Sequence, residues 1–343
     1  MAGARYQRLT RFVITMNLLD VGKWMIIPRD SKKRMITRQS RSRLQKCIKG
    51  KKCTDKSFAE TVKELDMATL FQVEPVGRGI GAEIRGLDLT NELSDKQFSE
   101  LEEALIEFKV VYMRDQHITT ARHVEIGRMF GELEVHPFRP QGEFPEIMKL
   151  DNHKDNPVLS TDVWHADTTF RKCPTKYSIL RCLVIPPTGG DTLWANMVAA
   201  YESLSEPMKS LLSGLRAVHD FKNFRVLYKG SEEKQEELRK MEKLYPNPSH
   251  PVVRTHPVTG EKALFVNSQF TDHIEGVSEG ESTALLNYLY TKSQVPEFQF
   301  RLRWYPGTIV FWDNCTTQHY ATNDYYPERR TMERVAVMGD EPF

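Results

Sequence analysis

Covalent cross-links are scarce in this chain of 343 residues: its five cysteines, Cys47, Cys53, Cys173, Cys182 and Cys315, are odd in number, scattered, and form no C-x-x-C pair. Neither a disulfide framework nor a thiolate zinc site is encouraged, and a reducing, cytoplasmic setting is expected. Long apolar runs are missing too. The best stretch, residues 12–27, is broken by Asp20 and Lys23 and is too short and too polar for a membrane span. No internal repeat and no biased Gly or Pro content appears, which excludes collagen-like and low-complexity chains. What remains, at 40% hydrophobic and 27% charged residues, is a globular enzyme-sized chain with room for a sizeable core.

The net charge of +2 conceals two unlike pieces. Residues 1–66 carry 17 Lys and Arg against six Asp and Glu, whereas 67–343 carries 31 against 40. The first piece has little hydrophobic periodicity and reads as a disordered or loosely helical basic extension. An organelle transit peptide, a nucleic-acid-binding arm and a stretch upstream of the natural start all compete for it. Met67 opens a domain-like segment, so initiation there would give a self-contained domain over 67–343. That domain is acidic, and no nucleic acid is expected to bind it, because phosphate backbones are held by clustered cations.

Within the domain, the glycines of Val76-Gly77-Arg78-Gly79-Ile80-Gly81 have the wrong spacing for a dinucleotide fingerprint and lead into a short alternating strand, so they predict a turn. A capping-type start and helical apolar spacing predict a helix over 94–108, then a buried strand at 110–113 and a second helix over 119–130. Further on, β-type runs at 177–185, 192–194, 263–266 and 308–312 alternate with helical inserts at 197–213, 232–243 and 279–293. The fold class this implies is mainly β with helical insertions, a sandwich or jelly roll.

Val163-Trp164-His165-Ala166-Asp167 carries the first chemistry. In an extended strand, residues two apart share a face, so His165 and Asp167 can address one ion. A third ligand is offered by His319, following the apolar strand that ends at Trp312. Two histidines and a carboxylate serve non-haem Fe(II) oxygenases and zinc hydrolases alike. Arg329, Arg330 and Arg334 follow in an extended C-terminal region, where a guanidinium can bind a carboxylate bidentately. An iron oxygenase with a dicarboxylate cosubstrate needs such an arginine; a zinc hydrolase does not.

Six segments, EPVGRGIGAEIRGLDLT, FGELEVHP, VWHADTTF, PPTGGDTLWANM, HPVVRTHPVTGEKALFVN and WDNCTTQHYATNDYYPERRTMERV, resemble in order the taurine dioxygenase branch of the Fe(II)/2-oxoglutarate-dependent dioxygenases. That group also contains alkylsulfatase and phenoxyacetate dioxygenases. The resemblance covers nearly all of 67–343 and implies a double-stranded β-helix core with His165, Asp167 and His319 as iron ligands. It implies further that Arg330 and Thr192 bind 2-oxoglutarate, which with O2 gives succinate, CO2 and a hydroxylated substrate. Asp167 marks hydroxylation, since related halogenases replace this carboxylate with a small residue.

For the substrate, the resemblance implies a small organic anion, foremost taurine or a related sulfonate released as aldehyde and sulfite, gripped by His136 and Arg334 beside Phe270. Alkyl sulfate esters and phenoxyacetate-like carboxylates are the alternatives. Two positions depart from the taurine enzymes: Arg139 replaces a tyrosine and Thr161 an asparagine, and an extra cation sits poorly beside taurine's ammonium. The resemblance also implies that a homo-oligomer is possible, since family members often form homodimers or tetramers. Asp313 and Asn314 are expected to position the loop that carries His319.

Overall fold

A computed structural model describes residues 70–135, 142–156 and 161–343 of the chain. The basic extension 1–66, with its three competing readings, and the candidate residues His136 and Arg139 lie outside the described residues. In chain order the strands are β1 (Gln72–Pro75), β2 (Ala82–Arg85), β3 (Val110–Met113), β4 (Met148–Asn152), β5 (Thr175–Val184), β6 (Thr192–Asn196), β7 (Arg216–His219) and β8 (Ser249–Pro251). There follow β9 (Val253–Thr255), β10 (Lys262–Leu264), β11 (Thr271–Ile274), β12 (Gln299–Leu302), β13 (Ile309–Asp313), β14 (Thr317–Ala321) and β15 (Arg330–Met338). The α-helices are α1 (Asp95–Phe108), α2 (Thr120–Phe130), α3 (Met197–Glu202), α4 (Glu206–Leu212), α5 (Glu232–Leu244) and α6 (Glu279–Tyr290).

Local chemistry accounts for most of these boundaries. Ser94 and Gln97 form a reciprocal capping box ahead of α1, and Thr119 accepts from the Arg122 N–H to start α2. The helix expected over 197–213 is two helices instead. Ser205 caps α4, and Pro207 occupies its first turn, where a missing N–H costs nothing. The glycine run is a turn, as its spacing predicts: the Val76 N–H donates to the Gly81 carbonyl at 2.9 Å and Gly81 has φ +84°. A Cβ at Gly81 would lie 2.6 Å from the Phe300 ring, so this glycine permits the close approach of β2 and β12.

The main sheet has the order β1-β2-β3-β13-β5-β15-β4, antiparallel apart from the β2/β3 pair. Opposite lies a three-stranded antiparallel sheet, β12-β6-β14. Because side chains alternate across a strand, the main sheet has two distinct faces. Tyr177, Ile179, Ile309, Phe311, Val335 and Val337 face one way and pack with α1 and α2. Leu180, Cys182, Val310, Trp312 and Met332 face the other way and meet Trp194, Phe300 and Leu302 of the second sheet. Each such fully buried large side chain stabilises the sandwich by roughly 1.5–3 kcal/mol. The fold is therefore mixed, with substantial helices packed on antiparallel sheets, rather than simply β with insertions. Among the described residues no helix is long and apolar enough to cross a membrane.

Candidate active site

The inner face between the two sheets leads to a cavity, and its geometry begins with two histidines. His165 and His319 face each other across an isolated antiparallel bridge, with reciprocal backbone bonds of 3.0 and 2.7 Å and ring centroids 4.1 Å apart. The extended strand expected to carry His165 and Asp167 together is absent. His165 is a single bridge residue, and Asp167 stands in the turn that follows. Asp167 still reaches the histidines, its Oδ1 lying 4.0 Å from His319 Nε2. One ligand atom from each of the three residues lies within 4.8 Å of the others, and all three residues are buried.

Protonation suits a cation. His165 Nδ1 lies 2.8 Å from the Val163 carbonyl, which places the proton there and leaves the Nε2 lone pair available. Burial, then the neighbouring His165, push the His319 imidazole down to about 3 against the opposing pull of Asp167. Burial likewise lowers His165. Burial would push the Asp167 carboxyl up, but Arg334 and the two imidazoles together outweigh it and hold the group well below the usual carboxylate range. Two neutral nitrogens and one ionised oxygen are what a divalent transition metal requires of its ligands.

A second buried cluster, His256, Asp313 and Cys315, has comparable spacing but the wrong protonation. The Val258 and Thr259 N–H groups donate to His256 Nδ1 at 3.3 and 3.0 Å, so the proton sits on Nε2, 3.4 Å from Asp313 Oδ2. The Cys315 thiol is pushed up to about 12, chiefly by burial. No lone pair and no thiolate are on offer, and the cluster acts as a brace on the β13–β14 turn.

Strand β15 brings both candidate arginines to the cavity because Arg330 and Arg334 are four residues apart and share a face, whereas Arg329 turns outward to pair with Asp151 at 2.6 Å. Arg330 is 3% exposed and has no carboxylate within ion-pair distance among the described residues. Its Nε donates to the Gly190 carbonyl at 3.1 Å and an Nη contacts Thr192 Oγ1 at 3.4 Å. Burial pushes its guanidinium below the ordinary value. A buried cation without a counter-ion is costly, and the arrangement fits an anion supplied from outside the chain. Arg334, by contrast, is ion-paired with Asp167.

The cavity also has an apolar wall of Met148, Leu150, Phe170, Leu180, Phe224 and Phe270. Phe270 lies 5.3 Å from Phe170 and 6.0 Å from Phe224, centroid to centroid, so it serves both packing and lining. Thr161 is also among the lining residues. Among the described lining residues Asp167 is the sole acid.

The family model described as "Taurine catabolism dioxygenase TauD, TfdA family" matches residues 72–336. The chain belongs to this family. As a TauD/TfdA protein it is an Fe(II)- and 2-oxoglutarate-dependent dioxygenase that uses O2 on a small organic substrate, and the zinc hydrolase reading falls. It is 38% identical over 278 residues to the alkylsulfatase of Acinetobacter baylyi, covering 79% of this chain and 86% of that one. It is 37% identical to the α-ketoglutarate-dependent sulfate ester dioxygenase of Pseudomonas putida, covering 79% and 91%. A crystal structure of a taurine dioxygenase from Burkholderia xenovorans superposes with a TM-score of 0.68 at 36% identity, covering 80% and 93%.

Several neighbours of this TauD/TfdA site were invisible to motif reasoning. The Ser178 hydroxyl donates to Asp167 Oδ2 at 2.8 Å, and Trp304 Nε1 donates to Thr192 Oγ1 at 2.9 Å. The side chain of Asn314, in the turn that leads to His319, accepts from the Asp167 N–H at 2.8 Å and donates to the Asp167 and Thr175 carbonyls at 3.1 and 2.8 Å, partners that no motif indicated. The alternation of β5, with Tyr177 and Ile179 apolar around Ser178, was the one signal available for Ser178.

Proposed function

We propose that this dioxygenase hydroxylates an organosulfur anion, a sulfonate or sulfate ester, whose remaining part is apolar. His165, Asp167 and His319 would hold the iron, in a core that is a double-stranded β-helix. Bound together, iron and 2-oxoglutarate would activate O2, one atom of which replaces a substrate C–H by C–OH while the other enters succinate as the cosubstrate loses CO2. Arg330 and Thr192 bind the distal carboxylate of 2-oxoglutarate, and the buried, unpaired state of Arg330 is the observation that carries this reading. Arg334 orients the substrate anion, and the family resemblance adds His136 and Arg139 as further substrate contacts. Phe270, Phe224 and Met148 exclude water from the carbon to be hydroxylated, and Thr161 flanks it. Hydroxylation beside the sulfur, or beside the ester oxygen, leaves an unstable product that breaks to an aldehyde and sulfite, or an aldehyde and sulfate.

Taurine itself fits less well than a sulfonate or sulfate ester with a plain hydrocarbon chain. Its ammonium would face a largely apolar lining in which, among the described residues, the sole acid is Asp167, already committed to the metal. The test is anaerobic titration of the protein with Fe(II) and 2-oxoglutarate, following the weak visible charge-transfer band of the chelated cosubstrate, and then substrate-stimulated succinate formation. Alkyl sulfates or alkanesulfonates should shift the band and stimulate succinate more than taurine does. Stimulation by taurine alone would refute the apolar-tail reading. Stimulation by a phenoxyacetate alone would move the substrate class to carboxylates.

A further inference from the structure

The residue that follows Asp167 has an unusual backbone. Thr168 has φ +52°, in the left-handed region. For a β-branched residue this conformation is a true outlier, costing on the order of 1–3 kcal/mol, and it persists only where its surroundings over-determine it. Glycine would adopt it freely. That threonine stands here directs attention to its side chain.

The Thr168 hydroxyl is fully engaged, and the donors can be assigned. Thr175 Oγ1 donates to the Glu134 carboxylate at 2.9 Å, so the Thr168 hydroxyl, 2.8 Å from Thr175 Oγ1, is the donor of that pair. In return Thr168 Oγ1 accepts the Thr175 N–H at 3.0 Å. The Glu134 carboxylate is buried and ion-paired with Arg171 at 2.9 Å, and the Glu134 N–H is tied to the Ala336 carbonyl of β15 at 2.8 Å. The Thr168 carbonyl accepts the Arg171 N–H at 2.9 Å, which closes the turn. The strained residue is thus anchored to β5, to β15 and to its own turn.

On its other side, Asp167 has its N–H and carbonyl both bonded to the Asn314 side chain. The carboxylate sits between this clamp and the left-handed turn. We propose that Thr168 is a positioning residue for Asp167: its hydroxyl relay through Thr175 to Glu134 holds the left-handed backbone that aims the carboxylate at the two histidines. The proposal rests on the reading of Asp167 as an iron ligand. Without the hydroxyl, the Thr175 N–H loses its acceptor and the backbone cost is borne by the Arg171 turn bond and the Asn314 clamp alone, so the turn relaxes toward negative φ and the carboxylate shifts away from the histidines.

The order of three substitutions tests this. Metal affinity is read on the full chain from the visible spectrum of Co(II) during titration, alongside the melting temperature of the metal-free protein and the ratio of succinate formed to substrate hydroxylated. Thr168→Val keeps the shape and loses the hydroxyl, and should weaken Co(II) binding by roughly 10- to 100-fold, the usual scale for groups that orient a ligand. Thr168→Ser should stay within about threefold of wild type. Thr168→Gly, free to keep the left-handed φ, should bind more tightly than the valine variant and waste less 2-oxoglutarate.

A residue that merely fills space would give the reverse order, valine harmless and glycine harmful, and that result would overturn the proposal. So would wild-type affinity in Thr168→Val. If that variant melts non-cooperatively, Thr175→Val cuts the same relay one step further out and must weaken Co(II) binding for the proposal to stand. Asp167→Ala separates the two layers of the argument: unchanged Co(II) binding there would remove the ligand reading itself, whereas loss there with wild-type binding in Thr168→Val would remove only the role of Thr168.

Discussion

Arg330 and Arg334 carry the same charge on the same strand, and their surroundings divide their work. Arg330 is bonded to the Gly190 carbonyl and Thr192 and has no carboxylate partner among the described residues, whereas Arg334 lies against Asp167 beside the two histidines. Arg330→Ala should raise the KM for 2-oxoglutarate by roughly 30- to 100-fold, the loss of about 2–3 kcal/mol of charge-assisted bonding, and leave the KM for the organosulfur substrate nearly unchanged. Arg334→Ala should do the converse. Steady-state kinetics with each substrate varied in turn checks both, and identical defects would refute the division. The three candidate ligands and an arginine among Arg329, Arg330 and Arg334 were legible from residue type and spacing, whereas the assignment of Arg330 and Arg334 to separate anions came from the family resemblance. The Asn314 clamp was not legible, because 147 positions separate it from Asp167 and no local pattern records that contact.

Among the elements, those governed by local chemistry were read best. The ends of α1 and α2 follow from Ser94, Gln97 and Thr119, whose side chains satisfy the first free N–H groups. Ser94→Ala should cost about 1 kcal/mol, visible as a lower urea midpoint. Gly81→Ala should cost more, on the order of 2 kcal/mol or above, since the new Cβ meets both the positive φ and the Phe300 ring. Equal midpoints for that variant and wild type would mean that β2 and β12 can separate freely. The extended strand expected around His165 failed for a non-local reason. Alternation predicts a strand, but the backbone of Asp167 is bonded to Asn314 rather than to a neighbouring strand, and the chain turns there. In the same way the single helix expected over 197–213 ignored Ser205, whose capping is worth more than continued helical pairing across a proline.

At the scale of the whole molecule, the antiparallel sandwich was legible from the rhythm of short strands and turns, while the two-faced packing of the main sheet emerges only from strand order. Burial on this scale also makes the protein sensitive to acid. His123, His219 and His250 are buried and neutral: His123 is pushed down to about 3 by burial and by Arg181, His250 to about 4 chiefly by burial, and His219 well below its ordinary value. Each folded value lies below the unfolded one of 6.5, so under pH 6.5 the unfolded chain binds more protons. Their contribution is therefore complete above that pH and is lost on acidification, by about 1.4 kcal/mol per pH unit for each histidine, down to about 4 for His250 and about 3 for His123. Urea unfolding of metal-free protein at pH 7.5 and 5.0 should show the midpoint falling steeply; a flat or rising midpoint would mean that these imidazoles are charged in the fold.

Strand β15 also acts as a ruler. Arg330 and Arg334 stand four residues apart on one extended rod, a span of about 13 Å, with the metal cluster beside the second of them. On the proposed division of these two arginines, the distance between the cosubstrate's charge and the substrate's charge would be written into chain spacing rather than into loops. A substrate whose anionic group must sit much nearer to or farther from the cosubstrate's charge would require a different graduation on that ruler.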